Sequence, residues 1–284
     1  MITINERFDE LFEKDTYLSL KNWLFSYQLR RRHLRPLLAG SDQERLLDLG
    51  CGISPIAPPG PNVIYADISF QALRYLSLQH PEASFVVADL THLPFRSDAV
   101  SHIVCSEVLE HIKDDAQAMH EISRVLRDGA LLTISVPVHP YYYTFDDSYV
   151  GHFRRYRLGE LIDALKAQGF ANVRVRKVAG VLEKLATYVM VRSFALLSKM
   201  GLGRSGLNRG RPWWSWPYKV SNTAWSYVCW LESKITPLAG TTIVSVQCRK
   251  AAARPQEPVP TSFKEAPAQK AETTGAGHSF GGSA

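Results

Sequence analysis

Four cysteines in 284 residues, Cys51, Cys105, Cys229 and Cys248, are too few and too irregularly spaced for a disulfide framework or a thiolate metal site. Reduced thiols are the expectation, and with them a cytoplasmic setting. No run of about 18 uncharged apolar residues occurs, so no membrane-spanning helix is predicted. No secretory leader is expected either, because Glu6, Asp9 and Glu10 come before any apolar run. Acid is almost missing from one stretch. Between residues 175 and 220 nine basic residues stand against a single acid, Glu183, although the formal charge of the whole chain is only +6. Whatever the basic surface meets, it meets it there.

What is present is an ordered series of strand ends. Residues 45–52 read RLLDLGCG, an apolar run that ends in Asp48-Leu49-Gly50-Cys51-Gly52. A second run, VIYAD, ends in Asp67. A third, SFVVAD, ends in Asp89. A fourth, HIVCSEVLEHI, ends in a polar cluster. Glycines let a backbone approach a ligand closely, and an acid at the end of the next strand can accept both hydroxyls of a ribose. Glycines and acids at successive strand ends describe a nucleoside-binding edge of an α/β sheet.

This series resembles the class I S-adenosylmethionine-dependent methyltransferases of the small-molecule type. The resemblance covers roughly residues 40 to 180 and a last strand near 242–249. It implies a Rossmann-like, mostly parallel seven-stranded sheet with an antiparallel last strand and helices on both faces. It assigns the methionine end of the cofactor to Gly50 and Gly52, next to Asp48. The ribose goes to Asp67 with Ile68 beside it, and the adenine amino group to Asp89 with Leu90. Ser106 ends the fourth strand in the same site. S-adenosyl-L-methionine is the implied cofactor.

Two features depart from the family pattern. A third glycine is missing, since the motif continues Ile53-Ser54-Pro55. And only ten residues, ISPIAPPGPN, separate Gly52 from the second strand. Four of the ten are prolines, which fix φ and remove donors, so a tight loop is expected in place of the first crossover helix. A dinucleotide pyrophosphate wants that helix N-terminus. No G-x-G-x-x-G follows the first strand either. Both points favour a phosphate-free cofactor over a nicotinamide one.

The chain divides by composition. Residues 1–43 read as N-terminal helices with an aromatic, basic end, which in the family lie over the cofactor. Residues 44–179 and 241–250 form the core: strands at 44–49, 63–67, 84–88, 102–106, 131–138, 173–178 and 243–248. Asp114 or Asp115 caps a helix that ends near Gly129, and another helix spans 158–168. Residues 180–240 are a long insertion between the last two strands. It holds an apolar helix (VLEKLATYVMVRSFALLSKM), a basic loop with Trp213, Trp214 and Trp216, and an aromatic helix with Trp225, Tyr227 and Trp230. It leaves the sheet on the cofactor side and reads as a lid over the substrate pocket. Tryptophans beside cations also suit a peripheral membrane contact, and less well the stacking of nucleic-acid bases. Residues 251–284, rich in Ala, Pro, Gly and Ser without a period, read as a disordered tail.

The chemistry should sit at Glu107-Val-Leu-Glu110-His111. Positions i, i+3 and i+4 share a face of a helical turn, so two carboxylates and an imidazole can form a base with its orienter, or three ligands for a hard cation such as Mg²⁺. The residues resemble the EVxEH motif of quinone-biosynthesis and small-RNA O-methyltransferases, and the matching later histidine is His152 in GHFRRYRLGEL. Glu107, His111 and His152 are therefore the catalytic candidates, and Glu107, Glu110, His111 and His152 the candidate metal set. His139 and the aromatic run Tyr141, Tyr142, Tyr143 and Phe145 should line the acceptor pocket. The acceptor is expected to be an oxygen on a small or lipid-like molecule. The rival classes are a nicotinamide-dependent oxidoreductase and a non-catalytic binding module on the same fold.

Overall fold

Strand β1 (Leu46–Leu49) is buried at all four positions, as a strand covered on both faces must be. The computed structural model describes residues 22–39, 45–199 and 215–252. Trp213, Trp214, residues 1–21 and the tail from residue 253 lie outside the described residues.

The elements follow in order. Helix α1 (Phe25–Leu34) precedes β1, and β2 (Val63–Asp67) follows it. Next come α2 (Phe70–Ser77), β3 (Ser84–Val87), β4 (Val100–Ser106), α3 (Asp115–Val125) and β5 (Leu126–Pro137). A short helix α4 (Phe145–Val150) and α5 (Leu158–Ala167) lead to β6 (Phe170–Ala179). The insertion contributes α6 (Val181–Lys199) and α7 (Ser215–Ile235), and β7 (Ile243–Lys250) ends the sheet. The sheet order is β3-β2-β1-β4-β5-β7-β6. The first five strands run parallel, and β7 lies antiparallel between β5 and β6. Chain order reverses between β1 and β4, and ligands bind such sheets at the carboxyl ends of the strands flanking that reversal.

One core cluster covers one set of sheet positions with Leu47, Leu49, Ile103, Ile122 and Leu132, and a second covers the other with Leu34, Tyr65 and Leu76. Ser69 caps α2 by accepting from the Ala72 amide, and Asp114 caps α3 by accepting from the Gln117 amide. No helix forms between β1 and β2, as the prolines require. Strands β4 and β6 begin at Val100 and Phe170, two and three residues earlier than expected, and the largest difference lies at β5. Helix α3 stops at Val125, and β5 begins at once instead of after Gly129. The register between β4 and β5 shifts from Val100↔Leu126 to His102↔Leu131. Gly129, at φ +75°, lies in that bulge, so its left-handed backbone serves a strand irregularity and not a helix end. All four cysteines are free and buried.

Candidate active site at the carboxyl edge

A cavity of about 600 Å³ opens at the ends of β1, β2 and β4, a size suited to a small-molecule ligand. The turn after β1 forms its floor. Gly50 has φ +66°, and a Cβ added there would lie 2.4 Å from Val108 Cγ2. Only glycine satisfies both the left-handed backbone and the close approach of Val108. Gly52, at φ +51°, has open space where a Cβ would point.

The two acids of this region do different work. Asp67 Oδ2 accepts from the Gly52 amide at 2.7 Å and Oδ1 from the Ser69 amide at 2.8 Å, so the carboxylate is held at the cavity wall by backbone donors. Asp48 Oδ2 accepts from the Ile56 and Ala57 amides, both at 2.8 Å. It anchors the proline-rich loop from beneath. Burial lifts its carboxyl to about 7, with the two amide bonds pulling the other way. Asp48 was expected at the cofactor; it reaches the cavity wall, but one of its oxygens is occupied by the loop. Ile68, Asp89, Leu90 and Ser106 also line the cavity, and Asp89 Oδ1 takes both the amide and the hydroxyl of Thr91 at 2.8 Å.

On the β4 side, Glu107 turns into the left-handed region at φ +55°, a conformation that costs about 1–3 kcal/mol for a non-glycine residue and that clusters at functional sites. Its amide donates to the Ser135 carbonyl at 2.9 Å. Glu107 thus precedes the helical turn instead of sharing it. That turn is a 3₁₀ one, Leu109–His111, and it sends Glu110 into the interior while His111 faces the cavity. Glu110, His111 and His152 each offer a ligand atom within 4.8 Å of the others; Glu107 is not among them. His152 Nε2 stands 3.8 Å from Glu110 Oε1, and the rings of His111 and His152 meet edge to face with centroids 4.6 Å apart. Burial, and then the charge of Glu107, pushes Glu110 well above the usual carboxylate range. Neither oxygen of Glu110 has a hydrogen bond.

Behind these residues lies a hub of buried ions. His152 Nδ1 lies 3.0 Å from Asp147 Oδ1, which also accepts from Arg155 Nε at 2.9 Å. Lys184 Nζ reaches Asp147 Oδ2 at 2.6 Å and Asp146 Oδ2 at 2.7 Å. Burial alone would raise Asp147, but the bonds from His152, Arg155 and Lys184 hold it well below the carboxylate range. Lys184 is thus turned inward, its side chain buried.

Tyr27 and Arg30, from the aromatic, basic end of the N-terminal helices, line the cavity, and Thr91, Lys113 and Phe153, which carried no individual expectation, join them. They come from separate segments, and only the folded chain brings them together. No described residue of 180–240 lines the cavity; α7 packs on α1, which supplies Tyr27 and Arg30. His139 and Tyr141 also stay out of the lining. They bond to the carbonyls of Leu238 (3.1 Å) and Ala239 (2.6 Å), fastening the end of the insertion to the loop after β5.

Residues 47–134 match the methyltransferase domain family. A probable S-adenosylmethionine-dependent methyltransferase of Mycobacterium tuberculosis is 29% identical over 163 residues, 55% of this chain and 58% of that protein. The demethylmenaquinone methyltransferase of Streptomyces avermitilis is 28% identical over 155 residues, 52% of this chain and 66% of that one. The chain thus spans about three-fifths of the length of these relatives. In fold, it is similar to a phosphoethanolamine N-methyltransferase of Haemonchus contortus solved with S-adenosyl-L-methionine. That likeness has a TM-score of 0.59 at 16% identity and covers 89% of this chain and 61% of that one.

Proposed function

We propose that this chain carries a class I S-adenosylmethionine-dependent methyltransferase domain, binds S-adenosylmethionine in the cavity between Gly50, Asp67 and Glu107, and methylates an oxygen of a small or lipid-like acceptor. The observation that carries the reading is the Asp67 carboxylate, fixed at the cavity wall by two backbone amides and followed by Asp89 at the end of the next strand. When bound, S-adenosylmethionine supplies a methyl group on a sulfonium, already activated for displacement. The chain's own task is to orient the acceptor, exclude water and accept a proton. Glu107 and His111 line the cavity and are the candidate proton acceptors. His152 meets the His111 ring edge-on and is held on its other side by Asp147, so it acts by orienting. The insertion at 180–240 offers a peripheral membrane contact through which a lipid-like acceptor could arrive.

Calorimetry tests the cofactor. S-adenosylhomocysteine should bind and NAD should not. Asp67→Ala should weaken binding by about 1.5–3 kcal/mol, the worth of hydrogen bonds to a charged group, or roughly 10- to 150-fold. Unchanged affinity in a folded variant removes the ribose assignment. Labelled methyl donor added with a cell extract, then separated into lipid, RNA and polar fractions, identifies the acceptor class.

One observation favours a second reading for the catalytic side. Glu110 is buried with both oxygens unbonded, and His111 and His152 each offer a ring nitrogen in a cluster whose ligand atoms, with a Glu110 oxygen, lie within 4.8 Å of one another. A divalent cation would be held there by Glu110, His111 and His152; one carboxylate and two imidazoles suit an imidazole-binding ion such as Mn²⁺ or Zn²⁺ better than the expected Mg²⁺. When bound, it would lower the pKa of an acceptor oxygen, so that no strong base is needed. Activity should then vanish in a chelator and return with a divalent cation, Mn²⁺ or Zn²⁺ more readily than Mg²⁺. Full turnover in chelator leaves Glu107 and His111 as the base and its neighbour.

A further inference from the structure

A helix on the surface of a water-soluble domain turns its apolar stripe inward. Helices α6 and α7 bury only a narrow apolar edge, with Val191 on α6 and Cys229 on α7, and turn longer apolar stripes outward. On α6 the charged residues Glu183 and Lys184 are buried, while Leu182, Leu185, Val189 and Leu196 face outward at spacings of three, four and seven. On α7 the inward residues are Ser226, Cys229 and Ser233, small enough to sit close against α1. Trp216, Val220, Tyr227, Leu231 and Ile235 face outward. Leu185, Val189, Leu196, Trp216, Leu231 and Ile235 are 54% to 85% exposed. Single exposed apolar residues are ordinary, but aligned stripes on two neighbouring helices mark a surface that something covers.

The charges around the stripes say what covers it. Both acids of the two helices are drawn in: Glu183 is buried, and Glu232 Oε1 accepts from the Leu182 amide at 2.8 Å. The described cations that remain outside lie over aromatic rings, Arg192 on Phe145, Lys219 on Trp23 and Lys234 on Trp230. Among the described residues, no helix is long and apolar enough to cross a membrane. α6 and α7, 19 and 21 residues long, would therefore lie flat.

We propose that the outer face of α6 and α7 docks on an anionic lipid surface, the apolar stripes entering the acyl boundary and the cations meeting lipid phosphates. A second copy of the chain would cover the apolar stripes but set like charges against each other across a two-fold axis. Nucleic acid would satisfy the cations and leave Leu185, Val189 and Leu231 in water. A lipid surface alone serves both. The proposal rests on the lipid-like acceptor of the preceding section for its purpose, but its geometry is independent of the cofactor.

Co-sedimentation with vesicles tests it on the full chain. Vesicles of phosphatidylglycerol and phosphatidylcholine should carry the protein down, and phosphatidylcholine alone should bind about tenfold less or weaker, the difference shrinking as salt rises. The triple variant Leu185→Gln, Val189→Gln, Leu231→Gln should lose about tenfold or more of the anionic-vesicle binding while keeping its affinity for S-adenosylhomocysteine. Asp67→Ala should still sediment with the vesicles, which separates a failure of this proposal from a failure of the cofactor reading. Wild-type protein that stays in the supernatant with anionic vesicles at low salt overturns the proposal. So does a dimer, seen by analytical ultracentrifugation, that the triple variant abolishes.

Discussion

On the β1–β2 side of the sheet edge, Asp48 and Asp67 are held by backbone amides; beyond β5, Asp146 and Asp147 are held mainly by side-chain cations. Asp48 and Asp67 each take two main-chain N–H groups within about twenty residues of chain. Asp146 and Asp147 draw on Arg155, His152 and Lys184, the last 37 and 38 residues away in sequence. The first arrangement depends on backbone shape, so a methyl group can break it. The second depends on charge balance, so removing one partner exposes another. The two sides should therefore fail in different ways.

The largest effect is expected on the ionic side. Lys184→Met removes the cation shared by Asp146 and Asp147 and leaves uncompensated charge in the interior, which typically costs about 3–5 kcal/mol. Urea unfolding should show it. Adding Asp146→Asn to the same chain should recover part of the loss, because one of the orphaned charges is then gone. If the double variant is no more stable than Lys184→Met, the hub is held by packing and not by charge balance. On the backbone side, Gly50→Ala should cost less, about 1–3 kcal/mol as overpacking commonly does, with a further strain at φ +66°. It should also weaken S-adenosylhomocysteine binding in calorimetry. Val108→Ala in the same chain makes room for the new methyl group but cannot change φ, so rescue should be partial. Full rescue would show that crowding alone makes Gly50 necessary.

The same contrast explains what could be read in advance. The placement of Gly50, Gly52, Asp67 and Asp89 around one cavity was legible because it is set by position at successive strand ends, and a parallel sheet fixes those positions in sequence order. The missing first crossover helix was legible from four prolines. The ionic hub was not. A lysine on an apolar helix normally faces water, and nothing local says that Lys184 finds two aspartates from another segment. His152 was found only through a motif resemblance, while Phe153 carried no local pattern. The α3–β5 boundary failed for a related reason: Gly129 looks the same before a helix end as inside a bulge, and only pairing with β4 decides. The insertion was legible as apolar and basic, but which of its faces turns outward was not. Which face of an amphipathic helix turns inward depends on whether the core offers it apolar side chains or counter-ions.

The smallest expected effect is a pH dependence, and it separates Glu183 from its neighbours. Glu183 is buried on α6, with Thr187 donating to its Oε1 at 2.9 Å. Burial lifts its carboxyl from the ordinary 4.5 to about 7; the Thr187 bond opposes this and the charge of Glu107 adds to it. A carboxyl raised on folding means that the folded state holds its proton more tightly than the unfolded chain does. Its contribution is therefore complete below pH 4.5 and is lost as pH rises through about 7. Asp48 acts in the same direction, and His33, lowered to about 4 by burial and by the charges of Lys234 and Arg32, acts in the opposite one below pH 6.5. The wild-type slope alone is thus a mixture. The difference between wild type and Glu183→Gln isolates one proton, worth at most about 1.4 kcal/mol per pH unit. Urea midpoints measured at intervals from pH 5 to 8 should show the wild type losing stability relative to Glu183→Gln across that window. Parallel curves would mean that Glu183 is already ionised in the folded protein, and that the positive hub formed by Lys184 and Arg155 reaches further along α6 than its hydrogen bonds indicate.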